Sequence, residues 1–378
     1  MARRPLLMLA GLLTFSLAAV SCGGGGVGGG GGGGGTSGSP TTPGTSMRPE
    51  DITGTIRLLS YTDGYDPKYL ASFYKEYPNI TLKTSAMASN EEAIAKIQAG
   101  FEVDVVNSCV DEASLEMVQK GLYAPLETSR LTYWNDLFPS MKTLPGVVVD
   151  GKVYVVPVDA GTAGLLYNAD AVTTPPDSWT DLFDPQWSGR VSVEESSTTA
   201  IMIGALAIGI TDPLHMSDAQ LEQVKQFWID HLGQFRTFWK SGASLKTLFK
   251  SGEIVLTSGY PDYATQLQEE GVNVKFAVAK EGQFLWACGY GITPDIDPAN
   301  LDAAYALLNW YTSPEAELFE AATWSYQVAN MDVLDVASPE VIEAASLEAP
   351  MNMENAIPAA PPENRAAWVA AWTEVKAS

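Results

Sequence analysis

Between Thr55 and Gly121 the chain alternates short apolar runs with helical segments in the order β-α-β-α-β-α, and that order leaves few architectures open. Thr55-Ile-Arg-Leu-Leu-Ser60 reads as a strand. Asp66-Pro67 supplies a cap and a first-turn proline ahead of Leu70, Phe73, Tyr74 and Tyr77. Ile80 to Lys83 is extended again, and Ser89-Asn-Glu-Glu92 has capping-box spacing before Ile94 and Ile97, with Gly100 as the stop. Val103-Asp-Val-Val106 reads as a third strand, and Glu112 to Lys120 as a helix closed by Gly121. Strands joined through helices run parallel, so the expectation is an α/β lobe with a parallel sheet covered on both faces.

A second lobe is expected to begin near Tyr154-Val-Val-Pro157, with extended runs through Gly164-Leu-Leu-Tyr-Asn168 before a turn at Pro175-Pro176. Ser217 caps a helix with Leu221, Val224, Phe227 and Trp228 on one face. Ile254-Val-Leu256 and Val274-Lys-Phe-Ala-Val278 read as strands around a helix carrying Tyr263 and Leu267. Phe284 to Gly291 is extended and is read as crossing back to the first lobe. From Asn300 the pattern is helical, ending in a segment with Trp368 and Trp372 four apart on one face. With 378 residues, 46% hydrophobic, the chain has material for two cores. No internal repeat of solenoid period appears.

The first residues read as an address and a tether. Arg3 and Arg4 precede an apolar run from Leu6 to Val20 that is too short for a comfortable membrane span, so residues 1–21 are read as a signal peptide. The run ends in Ala19-Val20-Ser21-Cys22, which resembles a lipobox, with Ala19 where leucine is usual. Cys22 is therefore the expected lipidation site. Residues 22–50, nearly all glycine and then Thr, Ser and Pro, have little to bury and are expected to form a flexible linker.

Charge and residue counts exclude several functions. A formal charge of −23 would repel nucleic acid and attract a cation, although an acidic surface also serves solubility. Three cysteines and two histidines leave no room for a dense disulfide framework or a structural zinc site. His215 and His231 fall on one helical pattern, and no Gly-x-Ser-x-Gly, His-Glu-x-x-His or Walker-type segment occurs. A binding protein without cofactor or metal is expected. A carboxylate-dependent hydrolase is the rival enzyme reading, because acidic residues are plentiful.

Several segments resemble the extracellular solute-binding proteins of ABC importers, in the spermidine/putrescine-binding branch. Ser178-Trp-Thr-Asp-Leu-Phe-Asp-Pro-Gln-Trp-Ser-Gly-Arg190 carries most of the likeness. Gly164-Leu-Leu-Tyr-Asn168, Phe238-Trp-Lys-Ser-Gly242, Ser251-Gly-Glu-Ile-Val255 and Glu281-Gly-Gln-Phe-Leu-Trp286 follow in register. The resemblance implies a type II periplasmic-binding-protein fold, with two lobes, two crossover strands and the ligand in a cleft that closes by hinge motion. It sets lobe 1 at 51–158 and 284–325, and lobe 2 at 159–283 and 326–378. The implied partners are a small solute, the permease subunits of an importer and the membrane through the lipid anchor. A monomer exported to a periplasm or cell surface is expected.

In that branch aromatic rings cover the methylenes of a diamine and carboxylates take its ammonium ends. Matched motif by motif, the resemblance places Tyr61, Tyr260, Trp286 and Tyr326 as ring walls; the other reading makes them core. The branch's usual anchors are absent, since Cys288 stands at one carboxylate position and Ser196 and Thr199 at a carboxylate pair. Glu194 and Glu195 lie beside that pair, Asp63 beside Tyr61, and Asp111 and Asp262 in loops expected to border the cleft. Each is a candidate ammonium partner or else a solvated carboxylate or cap. Cys109 and Cys288 are both expected near the cleft, either as a disulfide or as two small thiols. A quaternary ammonium, a ferric ion or a neutral polar solute are the alternative ligands.

Overall fold

The computed structural model describes residues 48–348, 350–351 and 356–378. Cys22, the expected signal peptide and the expected linker up to residue 47 lie outside the described residues; Pro49–Asp51 forms a single 3-10 turn. Among the described residues thirteen strands follow: β1 (Gly54–Ser60), β2 (Ile80–Ala86), β3 (Val105–Cys109), β4 (Val148–Val149), β5 (Lys152–Val153), β6 (Val156–Asn168), β7 (Val191–Glu194), β8 (Phe235–Trp239), β9 (Leu256–Gly259), β10 (Val274–Ala277), β11 (Gln283–Ile292), β12 (Gln327–Val328) and β13 (Ala356–Ile357). All but β4 and β5 share one curled sheet of order β2-β1-β3-β11-β6-β9-β7-β8, with β10 and β12 on β6 and β13 on β11. The short β4-β5 hairpin turns on Asp150 and Gly151, both with positive φ, the two-residue geometry that suits strand twist.

The two crossings that the resemblance implies are β6 and β11, of which the residues themselves point to β11, the run Phe284–Gly291. Strand β6 pairs with β11 from Val156 to Ala163, then with β9 and β10 from Gly164 to Asn168, so one uninterrupted strand passes from one lobe's sheet into the other's. Within the lobes β1 runs parallel to β2 and β3, and β7 parallel to β8 and β9. Parallel strands end on the same edge, so Ser60, Cys109, Glu194 and Gly259 mark the rims where a ligand of such sheets binds.

Two apolar cores lie on either side of the crossings. The first gathers Ile56, Leu58, Phe73, Leu285, Tyr290, Leu307 and Trp310; the second gathers Trp179, Val193, Ile201, Trp228, Phe284, Trp368 and Trp372. Neighbouring Phe284 and Leu285 belong to different cores, as the alternation of a strand between two lobes requires. Phe284 stacks on Trp179 at 4.7 Å, and the indole of Trp179 donates to the Gly282 carbonyl at 2.8 Å, seating the second crossing in its lobe. β12 (Gln327–Val328) lies against β6, and Ala329 enters the first core, whereas the final helix Arg365–Ala377 packs on the second.

Local boundaries differ from the sequence reading where side chains intervene. The first helix is Ala71–Glu76, because Asp66 Oδ1 turns the chain at Lys68 and Tyr69 before the helix begins. The third strand starts at Val105, because Asp104 takes the backbone and guanidinium of Arg57, and it runs on to Cys109. Ser89 does cap its helix by accepting from the Glu92 amide.

Candidate functional site

The rims of the parallel strands carry two clusters of carboxylates joined by aromatic rings. At the first, Tyr61 follows β1 and its hydroxyl accepts a hydrogen bond from Asn90 Nδ2 at 2.9 Å. Asn90 is fully buried; Nδ2 also donates to Glu112 Oε2 at 2.6 Å, and Oδ1 accepts from the Cys109 amide at 3.1 Å. The other oxygen of Glu112 accepts from Ser196 Oγ at 2.7 Å, a bond that crosses from one lobe to the other. Ser196 caps the helix Ser197–Ala207 by accepting from the Thr199 amide, and Thr199 Oγ1 and the Tyr260 hydroxyl both donate to Glu194, at 3.3 and 2.7 Å.

Asp111 lies beside Glu112, and its buried Oδ1 has no hydrogen-bond partner. Burial, then the charge of Glu112, holds the Asp111 carboxyl well above the usual range. Burial, then the Glu91 charge, raises Glu112 as well. Burial raises Glu194 to about 7 against the opposing Tyr260 hydrogen bond, with Glu112 adding to the rise.

The second cluster holds Asp63, Asp159 and Asp262. Asp63 accepts from the Gly64 amide at 2.9 Å and from the Tyr326 hydroxyl at 3.2 Å. Asp262, in the first turn of the helix Pro261–Glu269, is 2% exposed and accepts from Gln266 at 3.1 Å, but its Oδ1 has no partner. Oδ1 of Asp159, on β6, also lacks one. Burial, then the charge of Asp63, raises Asp159 to about 7 and Asp262 to about 8. Among the described residues no lysine or arginine pairs with Asp63, Asp111, Glu112, Asp159, Glu194 or Asp262; Arg365 and Lys246 act on Glu112 and Asp262 only from beyond contact.

Rings connect the two ends. Trp286 meets Tyr260 edge-on at 5.9 Å on one side and Tyr326 at 5.0 Å on the other, and Tyr263 stands 5.9 Å from Tyr260. The indole lies on Gly161: a Cβ there would come within 2.7 Å of Trp286 Cζ2. A cavity of about 60 Å³ opens along Trp286, Tyr326, Gly161 and Pro261. A larger hollow of about 420 Å³ lies by Pro175, Pro176 and Trp187, but its two carboxylates are engaged, Asp177 with Lys280 and Asp181 as the cap partner of Ser178. The convergent chemistry is therefore at the cleft.

Of the residues singled out in the sequence, Tyr61, Asp63, Asp111, Ser196, Thr199, Tyr260, Asp262, Trp286 and Tyr326 come together here. Glu195 does not: it faces away from Glu194 and pairs with Lys240 at 3.2 Å and Lys376 at 2.9 Å. Cys109 and Cys288 stand opposite one another in the β3–β11 pair and are joined by a disulfide. Sequence reasoning missed Asn90, Glu112, Asp159 and Tyr263. Asp159 had a signal, being the lone charge in the run Val156–Asn168. Glu112 had none, since an acid at a helix start reads as a cap partner. Among the described residues no group of His, Cys, Asp and Glu is arranged to hold a metal ion, and no helix is long and apolar enough to cross a membrane.

Known proteins share this fold. The spermidine/putrescine-binding periplasmic protein of Escherichia coli is 23% identical over 313 residues, 80% of this chain and 86% of that one. A spermidine/putrescine ABC transporter protein of Listeria monocytogenes superposes with TM-score 0.74 at 21% identity, covering 85% of this chain and 98% of the other. A periplasmic binding protein of Agrobacterium tumefaciens solved with glucopine gives TM-score 0.71 at 18% identity, over 85% and 100% of the two chains. These neighbours have the type II periplasmic-binding-protein fold, and their solutes differ. The model of bacterial extracellular solute-binding proteins matches residues 68–349, and the chain belongs to that family.

Proposed function

We propose that this protein captures a polyamine, an alkyl chain with an ammonium at each end, in the cleft and delivers it to the permease subunits of an ABC importer. The observation that carries the reading is the pair of acidic clusters, Asp111, Glu112 and Glu194 at one end and Asp63, Asp159 and Asp262 at the other, with no ion-paired cation among the described residues and a wall of rings between them. An ammonium brought there supplies the missing partner, and the faces of Tyr260, Trp286 and Tyr326 cover the methylenes. Ser196 and Thr199 then act as hydroxyls that hold Glu112 and Glu194, not as ammonium anchors themselves. The curated Escherichia coli relative's name as a spermidine/putrescine binder supports the ligand class. Export and anchoring through Cys22 complete the reading, supported by the apolar run and the small residues before that cysteine.

The test begins with protein unfolded and refolded to strip solute. Its thermal midpoint is followed against putrescine, spermidine, choline, betaine, ferric citrate and neutral solutes. A ligand at a hundred times its Kd adds about 2.7 kcal/mol of stability. A shift with putrescine or spermidine is expected; a shift with another solute alone overturns the polyamine reading.

The pH dependence has two opposite slopes. A dication needs ionised carboxylates, so its capture releases protons from Glu194, Asp159 and Asp262, and affinity is expected to rise between pH 6 and 8. These acids have folded pKa values above their ordinary values of about 4, so in that window the folded state binds more protons than the unfolded. Stability of the ligand-free protein therefore falls as pH rises from about 4 to 8. Calorimetric titration in buffers of different ionisation enthalpy reads the released protons, and a pH-independent affinity would contradict the assignment.

Gly161→Val is expected to expel the Trp286 indole from its seat and weaken polyamine binding at least tenfold, with the far-ultraviolet circular dichroism unchanged. Titration calorimetry checks it, and unaltered affinity would remove Trp286 from the site.

A further inference from the structure

We propose that the Cys109–Cys288 disulfide positions the acidic turn at the first end of the cleft, so that Asp111 and Glu112 are held where an ammonium arrives. This rests on the polyamine reading for its ligand but on the turn's own geometry for its mechanism. Cys109 is the last residue of β3, and Cys288 faces it on β11; both residues are 7% exposed. The backbone of Cys109 is the hub of the turn. Its amide donates to Asn90 Oδ1 at 3.1 Å, and its carbonyl accepts from Glu112 at 3.2 Å and Ala113 at 2.8 Å. Asn90 in turn donates to both Tyr61 and Glu112, and the Val110 amide donates to the Ala287 carbonyl, one residue before Cys288.

Two features explain why a covalent tie belongs here. The ladder between β11 and β6 slips register between Cys288 and Gly289, so regular pairing with β6 is interrupted at this point. Beyond the tie, Asp111, Glu112 and Glu194 crowd together, among the described residues with no ion-paired cation, and they repel one another as they ionise. The disulfide sets its base at Cys109 and leaves the carboxylates facing the cleft.

The test uses the full chain with Cys109→Ser and Cys288→Ser together, alongside wild-type protein reduced by dithiothreitol and then reoxidised. Reduction passes two electrons and two protons from the dithiol to the S–S bond, which breaks to two thiols while the reagent closes to a cyclic disulfide. Two readouts are taken: amide hydrogen exchange at residues 112 and 113 relative to the helix Ser197–Ala207, and the ratio of putrescine to 1-butylamine affinity. The expectation is exchange at least tenfold faster at 112 and 113 alone, a putrescine preference at least tenfold smaller, and recovery of both on reoxidation. A uniform loss of stability, with local exchange and preference otherwise as in the wild type, overturns the positioning role and leaves a bond that only staples the fold. Should wild-type protein bind no diamine, the polyamine reading fails by itself; the exchange at 112 and 113 still decides the positioning.

Discussion

Replacing Asp159 and Asp262 together by asparagine is expected to weaken putrescine binding about a hundredfold or more while raising the thermal midpoint of the ligand-free protein. Both effects come from the same atoms. Each carboxyl has a buried oxygen without a partner, and burial next to Asp63 raises Asp159 to about 7 and Asp262 to about 8, so near neutral pH each resists ionisation. Asparagine keeps the shape and removes the charge, which relieves the ligand-free protein. With an ammonium present the balance reverses, because truncating one side of a desolvated charge pair costs about 2–5 kcal/mol, and a factor of a hundred corresponds to about 2.7 kcal/mol. Titration calorimetry and a thermal scan read the two signs. Loss of stability without loss of affinity would mean that these acids serve the fold.

Arg365→Ala should have the next largest effect, and through lobe closure. Arg365 opens the final helix, whose Trp372 packs edge-on against Trp228 at 5.1 Å in the second core, yet its guanidinium reaches Glu91 at 2.9 Å and Glu116 at 2.5 Å, two acids of the first lobe. Ser197 of the second lobe donates to the same Glu91 oxygen at 3.0 Å. The arginine side chain is 12% exposed and the two carboxylates 27% and 31%, so the loss falls below the 3–5 kcal/mol of a fully buried pair, at about 2–3 kcal/mol. If these bonds form on closure, their loss weakens the ligand-holding form, so polyamine affinity is expected to drop about thirtyfold or more, with a larger radius of gyration by small-angle scattering in subsaturating ligand. Affinity within threefold of wild type would show that closure does not depend on the clasp.

Much of this was legible in the amino-acid order. The β-α alternation from Thr55 and the long extended run at Phe284–Gly291 already implied two lobes with a returning strand, because apolar periodicity reports which faces are covered. Of the rings picked out by resemblance, Tyr260, Trp286 and Tyr326 stand against one another, while Tyr61 lies at the Asn90–Glu112 end. The acids were harder, since a carboxylate's partner is a matter of three-dimensional direction. Glu194 and Glu195 are neighbours in sequence, yet one accepts from Tyr260 in the cleft and the other pairs with Lys240 and Lys376 outside it. Strand alternation says that they diverge but not which one points in. Asn90 illustrates the other limit: in sequence it is a polar residue after a capping serine, and only the fold brings Tyr61, Cys109 and Glu112 within its reach. Asp159 could have been found, because a lone charge in an apolar crossing strand calls for a partner, and here it has none on one oxygen.

The most direct test of the account is a calorimetric comparison of putrescine with 1-butylamine at pH 8 on stripped wild-type protein. The two ligands share a four-carbon chain and differ by one ammonium, so the comparison isolates the gain from engaging both acidic ends at once. Putrescine is expected to bind about a hundredfold more tightly or better, with the added affinity arising from the acidic end that 1-butylamine leaves unpaired. Equal affinities, or no binding of either amine while another solute binds, would contradict it.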